Sequence, residues 1–124
     1  MNNTEPDIPS VETLGELQRA VHGWITTVGH GYFSPLTNAV ILAEETGEVA
    51  RVMARTYGDQ KPKPGDKTGT DALADELADL VWVAAAIANQ TGVDLTEAVR
   101  RNIVKKYTRD RRRFEPPAGT REEI

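Results

Sequence analysis

Two short acidic clusters carry residue types and spacing that can do chemistry: Glu44-Glu45-Thr46-Gly47-Glu48 and Glu76-Leu77-Ala78-Asp79. If both segments are helical, each presents carboxylates at i, i+3, where side chains are neighbours on one face. With Glu44 set at zero on a helical wheel, Ile41, Val49 and Val52 fall at about 60°, 140° and 80°. Glu45 then lies near 100°, inside that apolar arc, and Glu48 at its edge near 40°, while Glu44 points to the rim. On the later segment Glu76 sits inside the arc of Leu73, Leu80 and Ile87, with Asp79 at its border.

An ionised carboxylate in an apolar arc is costly unless something positive compensates it. Converging acids also raise one another's pKa values unless a cation neutralises them. A single acidic pair at this spacing is ordinarily a solvated helix face; two pairs breaking into apolar arcs on adjacent helices are a different matter. Oxygen-only ligands suit Mg²⁺, with Mn²⁺ as a substitute, and the absence of cysteine disfavours zinc. A di-iron carboxylate bundle would want Glu-x-x-His, and neither His22 nor His30 follows a glutamate at that spacing. Mg²⁺ keeps waters and takes phosphate oxygens, so the chemistry this cluster suits is phosphate chemistry.

The elements that must position these acids read as helices. Ser10 is a good N-cap, after which Val11, Leu14, Leu17, Val21, Trp24, Ile25 and Val28 recur at helical spacing. Gly29 to Pro35 reads as a loop, dense in ring-bearing and hydroxyl side chains: His30, Tyr32, Phe33 and Ser34. A second helix is expected from about Leu36 to Tyr57, with Gly58 as its stop. The Lys-, Pro- and Gly-rich segment 59–70 is long enough to be mobile or ordered by ligand.

The third helix should run from about Asp71 to Gln90, with Leu73, Leu77, Leu80, Val81, Ala84, Ile87 and Ala88 as its core stripe. Trp82 lies off that stripe, which suggests a second buried face and a subunit contact. Asp94 and Glu97 start a fourth helix through Leu95, Val99 and Ile103, ending near Tyr107 to Arg113. The expectation is an all-α, four-helix unit assembling into an oligomeric helical bundle. Residues 1–124 read as one domain, with 1–9 an extended arm and 114–124 a tail.

Composition agrees with this reading. In 124 residues, 39% are hydrophobic and only 6% aromatic, so Leu, Val, Ile and Ala must build the core. So small a core commonly gains stability by burying a face against a second copy. A net charge of −4 argues against general affinity for nucleic acid or anionic membranes, although Lys105, Lys106, Arg109, Arg111, Arg112 and Arg113 crowd one segment. The sequence shows no basic and apolar leader and no apolar run of membrane-spanning length, so a cytoplasmic protein is expected.

With the motifs in place, the chain resembles the MazG-like nucleoside triphosphate pyrophosphohydrolases of the all-α NTP pyrophosphatase superfamily. That family's signature is E-E-x-x-E, a spacer, then E-x-x-D, standing here as Glu44-Glu45-Thr46-Gly47-Glu48 and Glu76-Leu77-Ala78-Asp79. The likeness extends to Gly31-Tyr32-Phe33-Ser34-Pro35-Leu36 and to Lys106-Tyr107 with Arg109, covering residues 14 to 114, and is closest to the short single-domain bacterial branch. It implies Mg²⁺-dependent hydrolysis of an NTP or dNTP between the α- and β-phosphates, giving monophosphate and pyrophosphate. It also implies a homo-oligomer, dimer or tetramer.

By motif matching, Glu45, Glu48, Glu76 and Asp79 correspond to the metal ligands, the same four that the wheel singles out. Glu44 takes a supporting role, orienting water, so that Glu44, Glu45 and Glu48 form the catalytic set. Lys106 and Arg109 could hold phosphate oxygens, or simply answer a helix C-terminal dipole. Asn102 could bond a phosphate or a metal-bound water, or be buried against backbone. Tyr32, Phe33 and Trp24 are candidates to stack on a nucleobase, Trp24 being as well suited to the core. His30 and Asn38 could read base edges. The expected role is removal of non-standard or surplus nucleotides; the alternatives are a phosphoribosyl-ATP pyrophosphatase, or a nucleotide-binding regulator without catalysis. Gly31-Tyr32-Phe33-Ser34-Pro35 disfavours the first of these.

Overall fold

Three of the four main helices start where a side chain satisfies backbone N–H groups that the first turn leaves free, and the one that begins at Thr70 starts after Gly69 with no such cap. The computed structural model describes residues 5–117. Among them the chain forms α1 (Leu14–Thr27), α2 (Pro35–Tyr57), α3 (Thr70–Thr91) and α4 (Leu95–Lys105), with no strand. α4 runs on through a π-helical turn, Lys106–Asp110, into a last α turn, Arg111–Arg113. The all-α, four-helix expectation is met. Asn2, Asn3 and Gly119, which mark the expected arm and tail, lie outside the described residues.

Thr13 rather than Ser10 caps α1. Its Oγ1 accepts from the Glu16 N–H at 3.1 Å, and the Glu16 carboxylate accepts from the Glu12 N–H at 3.3 Å. A cap at Ser10 would put Thr13 at the third position, with no carboxylate to return the bond. Ser34 caps α2 through the Thr37 N–H at 3.2 Å, with Pro35 at the first helical position. Asp94 caps α4, and Gly92 closes α3 in the left-handed region at φ 74°.

α3 is the central helix, packed against α2 on one side and α1 on the other, while α4 lies against α1. Val21 and Ile25 of α1 meet Ala85 and Ala86 of α3, with Leu17, Tyr32, Trp82 and Leu95 packed around them. Alanines on α3 let the α1 backbone approach closely. A polar clamp fixes the corner where α3 turns into α4. Gln18 Nε2 donates to Asn89 Oδ1 at 3.1 Å, Asn89 Nδ2 donates to the Gln18 carbonyl at 2.8 Å, and the Leu95 N–H donates to Gln18 Oε1 at 2.9 Å.

The α3 stripe is rotated from the one expected. The residues buried are Ala72, Val83, Ala85, Ala86 and Ala88, whereas Leu77 and Val81 are 44% and 47% exposed. The side chains buried most deeply are mainly small, because two helices must pass close on that side, while Leu73, Leu80 and Ile87 of the expected stripe are half-buried. Trp82 is half-buried and packs on Trp24 of the same chain, edge to face at 5.6 Å and 82°. The 59–70 connection is tied to the end of α2 by side-chain bonds. Arg55 Nε lies 3.1 Å from Asp66 Oδ2, Lys63 N–H donates to that oxygen at 2.9 Å, and Gly69 N–H donates to Thr56 Oγ1 at 2.9 Å. Among the described residues no helix is long and apolar enough to cross a membrane.

Candidate metal centre and adjoining cavity

α2 and α3 form an antiparallel pair, which sets residues near the start of one beside residues near the end of the other. Glu45 of α2 therefore faces Glu76 and Asp79 of α3. One carboxylate oxygen from each of these three lies within 4.8 Å of the others. Glu45 and Glu76 are half-buried and Asp79 is exposed, so the triad sits at a rim, reachable from solvent.

Charge is unbalanced here. Among the described residues the ion pairs are Arg51 with Glu48, Arg55 with Asp66 and Arg109 with Asp110, and none reaches the triad. Burial, then the negative charges of Asp79, Glu76, Glu48 and Glu44, push the Glu45 carboxyl above its ordinary value. Three oxygen donors converging without a basic side chain are a fit for a hard divalent cation such as Mg²⁺ or Mn²⁺. Glu48 stands outside the triad, its Oε1 3.4 Å from the Arg51 guanidinium at i+3. Glu44 is exposed.

Beside the triad lies a cavity of about 290 Å³ whose wall includes both Glu45 and Asp79. Trp24, Tyr32 and Phe33 line it, together with Trp82, Asn38 and Ile41. The loop between α1 and α2 brings the aromatic side chains in by a tight reversal. Gly29 N–H donates to the Trp24 carbonyl at 3.0 Å and Gly31 N–H to the Ile25 carbonyl at 2.7 Å. A Cβ on Gly29 would stand 2.8 Å from Trp24 Cζ3, so the turn closes directly over that indole. His30 follows at φ 58°, in the left-handed region, and its side chain is exposed. Tyr32 is held by His22, whose Nδ1 lies 2.8 Å from the phenolic oxygen.

Two of the triad's acids, Glu45 and Asp79, thus share one cavity with the three expected aromatic residues. Asn102, Lys106 and Arg109 do not line it; all three are exposed on α4 and its extension, and Arg109 Nε donates to Asp110 Oδ1 at 3.0 Å. Asn38, expected as a reader of base edges, lines the cavity, whereas sequence reasoning did not single out Trp82 or the Gln90 that holds Asn38. Asn38 Nδ2 donates to Gln90 Oε1 at 2.7 Å, and Gln90 Nε2 donates to the Phe33 carbonyl at 3.0 Å. For Gln90 the available signal was periodicity: it follows Asp79 by eleven residues and so falls within about 20° of it on the wheel.

Comparison with known proteins agrees with the fold and the family resemblance. Residues 33–114 match the MazG nucleotide pyrophosphohydrolase domain. YpjD of Bacillus subtilis (strain 168), described as uncharacterized, is 36% identical over 105 residues, spanning 85% of this chain and 93% of the relative. The crystal structure of YpjD from Bacillus subtilis is 34% identical, with a TM-score of 0.68 over 81% of this chain and 98% of that one. That of the Bacillus-conserved MazG protein, a nucleotide pyrophosphohydrolase, is 31% identical, with a TM-score of 0.67 over 81% and 95%. The chain belongs to the MazG nucleotide pyrophosphohydrolase family.

Proposed function

We propose that this protein is a divalent-metal-dependent nucleoside triphosphate pyrophosphohydrolase, releasing pyrophosphate and a nucleoside monophosphate from an NTP or dNTP. The observation that carries it is the uncompensated triad of Glu45, Glu76 and Asp79 at the edge of an aromatic cavity. The cavity takes the base and the triad faces the phosphates. House-cleaning of non-standard or surplus nucleotides in the cytoplasm is the role this reading supports.

Glu45, Glu76 and Asp79 would hold Mg²⁺, or Mn²⁺ in its place, and Glu48 would join them by releasing Arg51. The metal, when bound, supplies charge neutralisation on the triphosphate and acidifies coordinated water. Glu44 and Glu48 border the triad, so either carboxylate can accept the proton of the attacking water. Trp24, Tyr32 and Phe33 offer flat faces that stack on a base and exclude water around it.

A homo-oligomer belongs to the same reading. The outward edge of α4 and its π-helical extension carries Val99, Ile103, Val104 and Tyr107 at 40%, 50%, 62% and 73% exposure, with Leu77 and Val81 similarly bare on α3. A second copy covering these side chains would carry Asn102, Lys106 and Arg109 to phosphate oxygens that its own cavity does not present to them.

The test is incubation with a panel of NTPs and dNTPs plus Mg²⁺, reading pyrophosphate against orthophosphate. Pyrophosphate is expected, and Glu76→Gln and Glu48→Gln should each abolish its release while leaving the helical circular dichroism intact. Orthophosphate alone, survival of every triphosphate, or full activity in both variants would sink the proposal. Phosphoribosyl-ATP hydrolysed in preference to every dNTP would reassign the substrate.

A further inference from the structure

Asn38 is the only buried polar residue among those described, 6% exposed on α2, and it lines the cavity beside the triad. An asparagine amide can face either way, and its orientation is set by its partners. The chain of bonds here starts from a backbone carbonyl. The Phe33 C=O can only accept, so Gln90 must present Nε2 to it. That leaves Gln90 Oε1 for Asn38, which must answer with Nδ2. The remaining Asn38 oxygen, Oδ1, accepts no hydrogen bond from any described residue. It is not sealed in protein either, because the only buried side-chain nitrogen or oxygen without a hydrogen bond among the described residues is Arg55 Nε, which the Asp66 carboxylate answers as an ion pair. Oδ1 therefore opens into the cavity as a fixed acceptor.

We infer that this acceptor selects the nucleobase. Asn38 lies two helical turns, about 10.5 Å, from Glu45 along the same side of α2, so it faces the part of a ligand far from the phosphates. On a pyrimidine that part carries the C4 substituent, and on a purine the C6 substituent. An amino group there (cytosine, adenine) donates to Oδ1. A keto oxygen (uracil, thymine, guanine, hypoxanthine) sets acceptor against acceptor in a half-closed apolar space. Gln90 is the positioning residue, because it keeps the Asn38 amide from turning over to suit a keto base. Trp24, Tyr32 and Trp82 supply stacking that is indifferent to base identity. The assignment rests on reading the cavity as a nucleotide site.

The experiment compares matched amino and keto pairs, dCTP with dUTP and dATP with dITP, by kcat/KM for pyrophosphate release with Mn²⁺. The amino member of each pair should be favoured by about tenfold to a hundredfold, the effect of leaving a buried acceptor unpaired. Asn38→Leu should bring the ratio toward one. Gln90→Met, which frees the amide to rotate without emptying the pocket, should lower or invert the ratio while turnover persists. A second readout needs no hydrolysis: dCMP and dUMP binding followed by quenching of the two tryptophans, Trp24 and Trp82. Equal affinity for dCMP and dUMP, or equal turnover within each pair, would overturn the inference while leaving the pyrophosphohydrolase reading in place. Preferential dCMP binding without pyrophosphate release from any triphosphate would uphold the base selection and sink the hydrolase.

Discussion

Glu45→Gln should stabilise this protein while destroying the metal site proposed for it, and the opposite signs make the substitution informative. The carboxylate oxygens of Glu45, Glu76 and Asp79 lie within 4.8 Å of one another, with no basic side chain among the described residues paired to them. Because the site is half open, a water-like dielectric is the right choice. Coulomb's law at that spacing then gives about 0.5–0.9 kcal/mol of repulsion per pair, the lower figure including physiological salt. Glu45 takes part in two such pairs, so neutralising it removes about 1–2 kcal/mol. For a chain of this size that raises Tm by roughly 3–8 °C.

The pH dependence follows from the raised pKa of Glu45. A carboxyl whose folded value lies above its unfolded one contributes stability that is fully present below the unfolded value, about 4.3, and lost as pH rises through the folded value. The metal-free wild type should therefore lose stability relative to Glu45→Gln on going from acid to neutral pH. At pH 7 Mn²⁺ should restore it, by about 2.7 kcal/mol at a hundredfold excess over Kd, and should leave the variant unmoved. Thermal melts at fixed protein concentration, in EDTA and in MnCl₂, across pH 4 to 8, read all three effects. A metal-free variant less stable than the wild type at neutral pH, or one that keeps the full Mn²⁺ shift, would refute the reasoning.

Two further outcomes are expected. Ile103→Asp, at a side chain half exposed in the single chain, should reduce an assembly of two or more copies to monomers in light-scattering chromatography. A wild type already monomeric at micromolar concentration would count against the oligomer. Val21→Ala, at the largest fully buried side chain, should cost about 2 kcal/mol and lower Tm by roughly 5–10 °C, read by urea and thermal unfolding.

The helices and the acids were legible because both are local signals. Glu45, Glu76 and Asp79 betrayed themselves by standing in apolar arcs, and Gly58 and Gly92 stopped their helices where composition said they would. Glu48 shows the limit of a helical wheel, which gives direction and not reach. Arg51, one turn on, draws its carboxylate aside, and no pattern of apolar residues foretells that. The α3 stripe went astray because both sides of that helix are apolar. Leu77 and Val81 outweigh Ala85 and Ala86 in hydrophobicity, yet a close helix crossing selects small side chains. Asn102, Lys106 and Arg109 were expected near the phosphates, but α4 docks on α1, and a motif match carries no information about which copy of a chain supplies a residue.

The same antiparallel pair of helices holds both ends of the site, and this constrains how the site can vary. Asn38 and Glu45 are seven residues apart on α2, and Asp79 and Gln90 are eleven apart on α3, both close to whole turns. One register between α2 and α3 therefore sets the metal triad and the amide relay together. A slip by one residue would rotate each of these side chains by about 100° and undo both at once. The buried alanines of α3 resist that slip on the far side, where they are locked against Val21 and Ile25. Base selection can thus change by substitution at Asn38 or Gln90 without disturbing the acids, whereas a change in the α1–α3 packing alters selection and metal binding in step. Paired measurements separate the two cases: Gln90→Met should move the amino-to-keto ratio and leave the Mn²⁺ shift in Tm intact, while Ala85→Leu should move both.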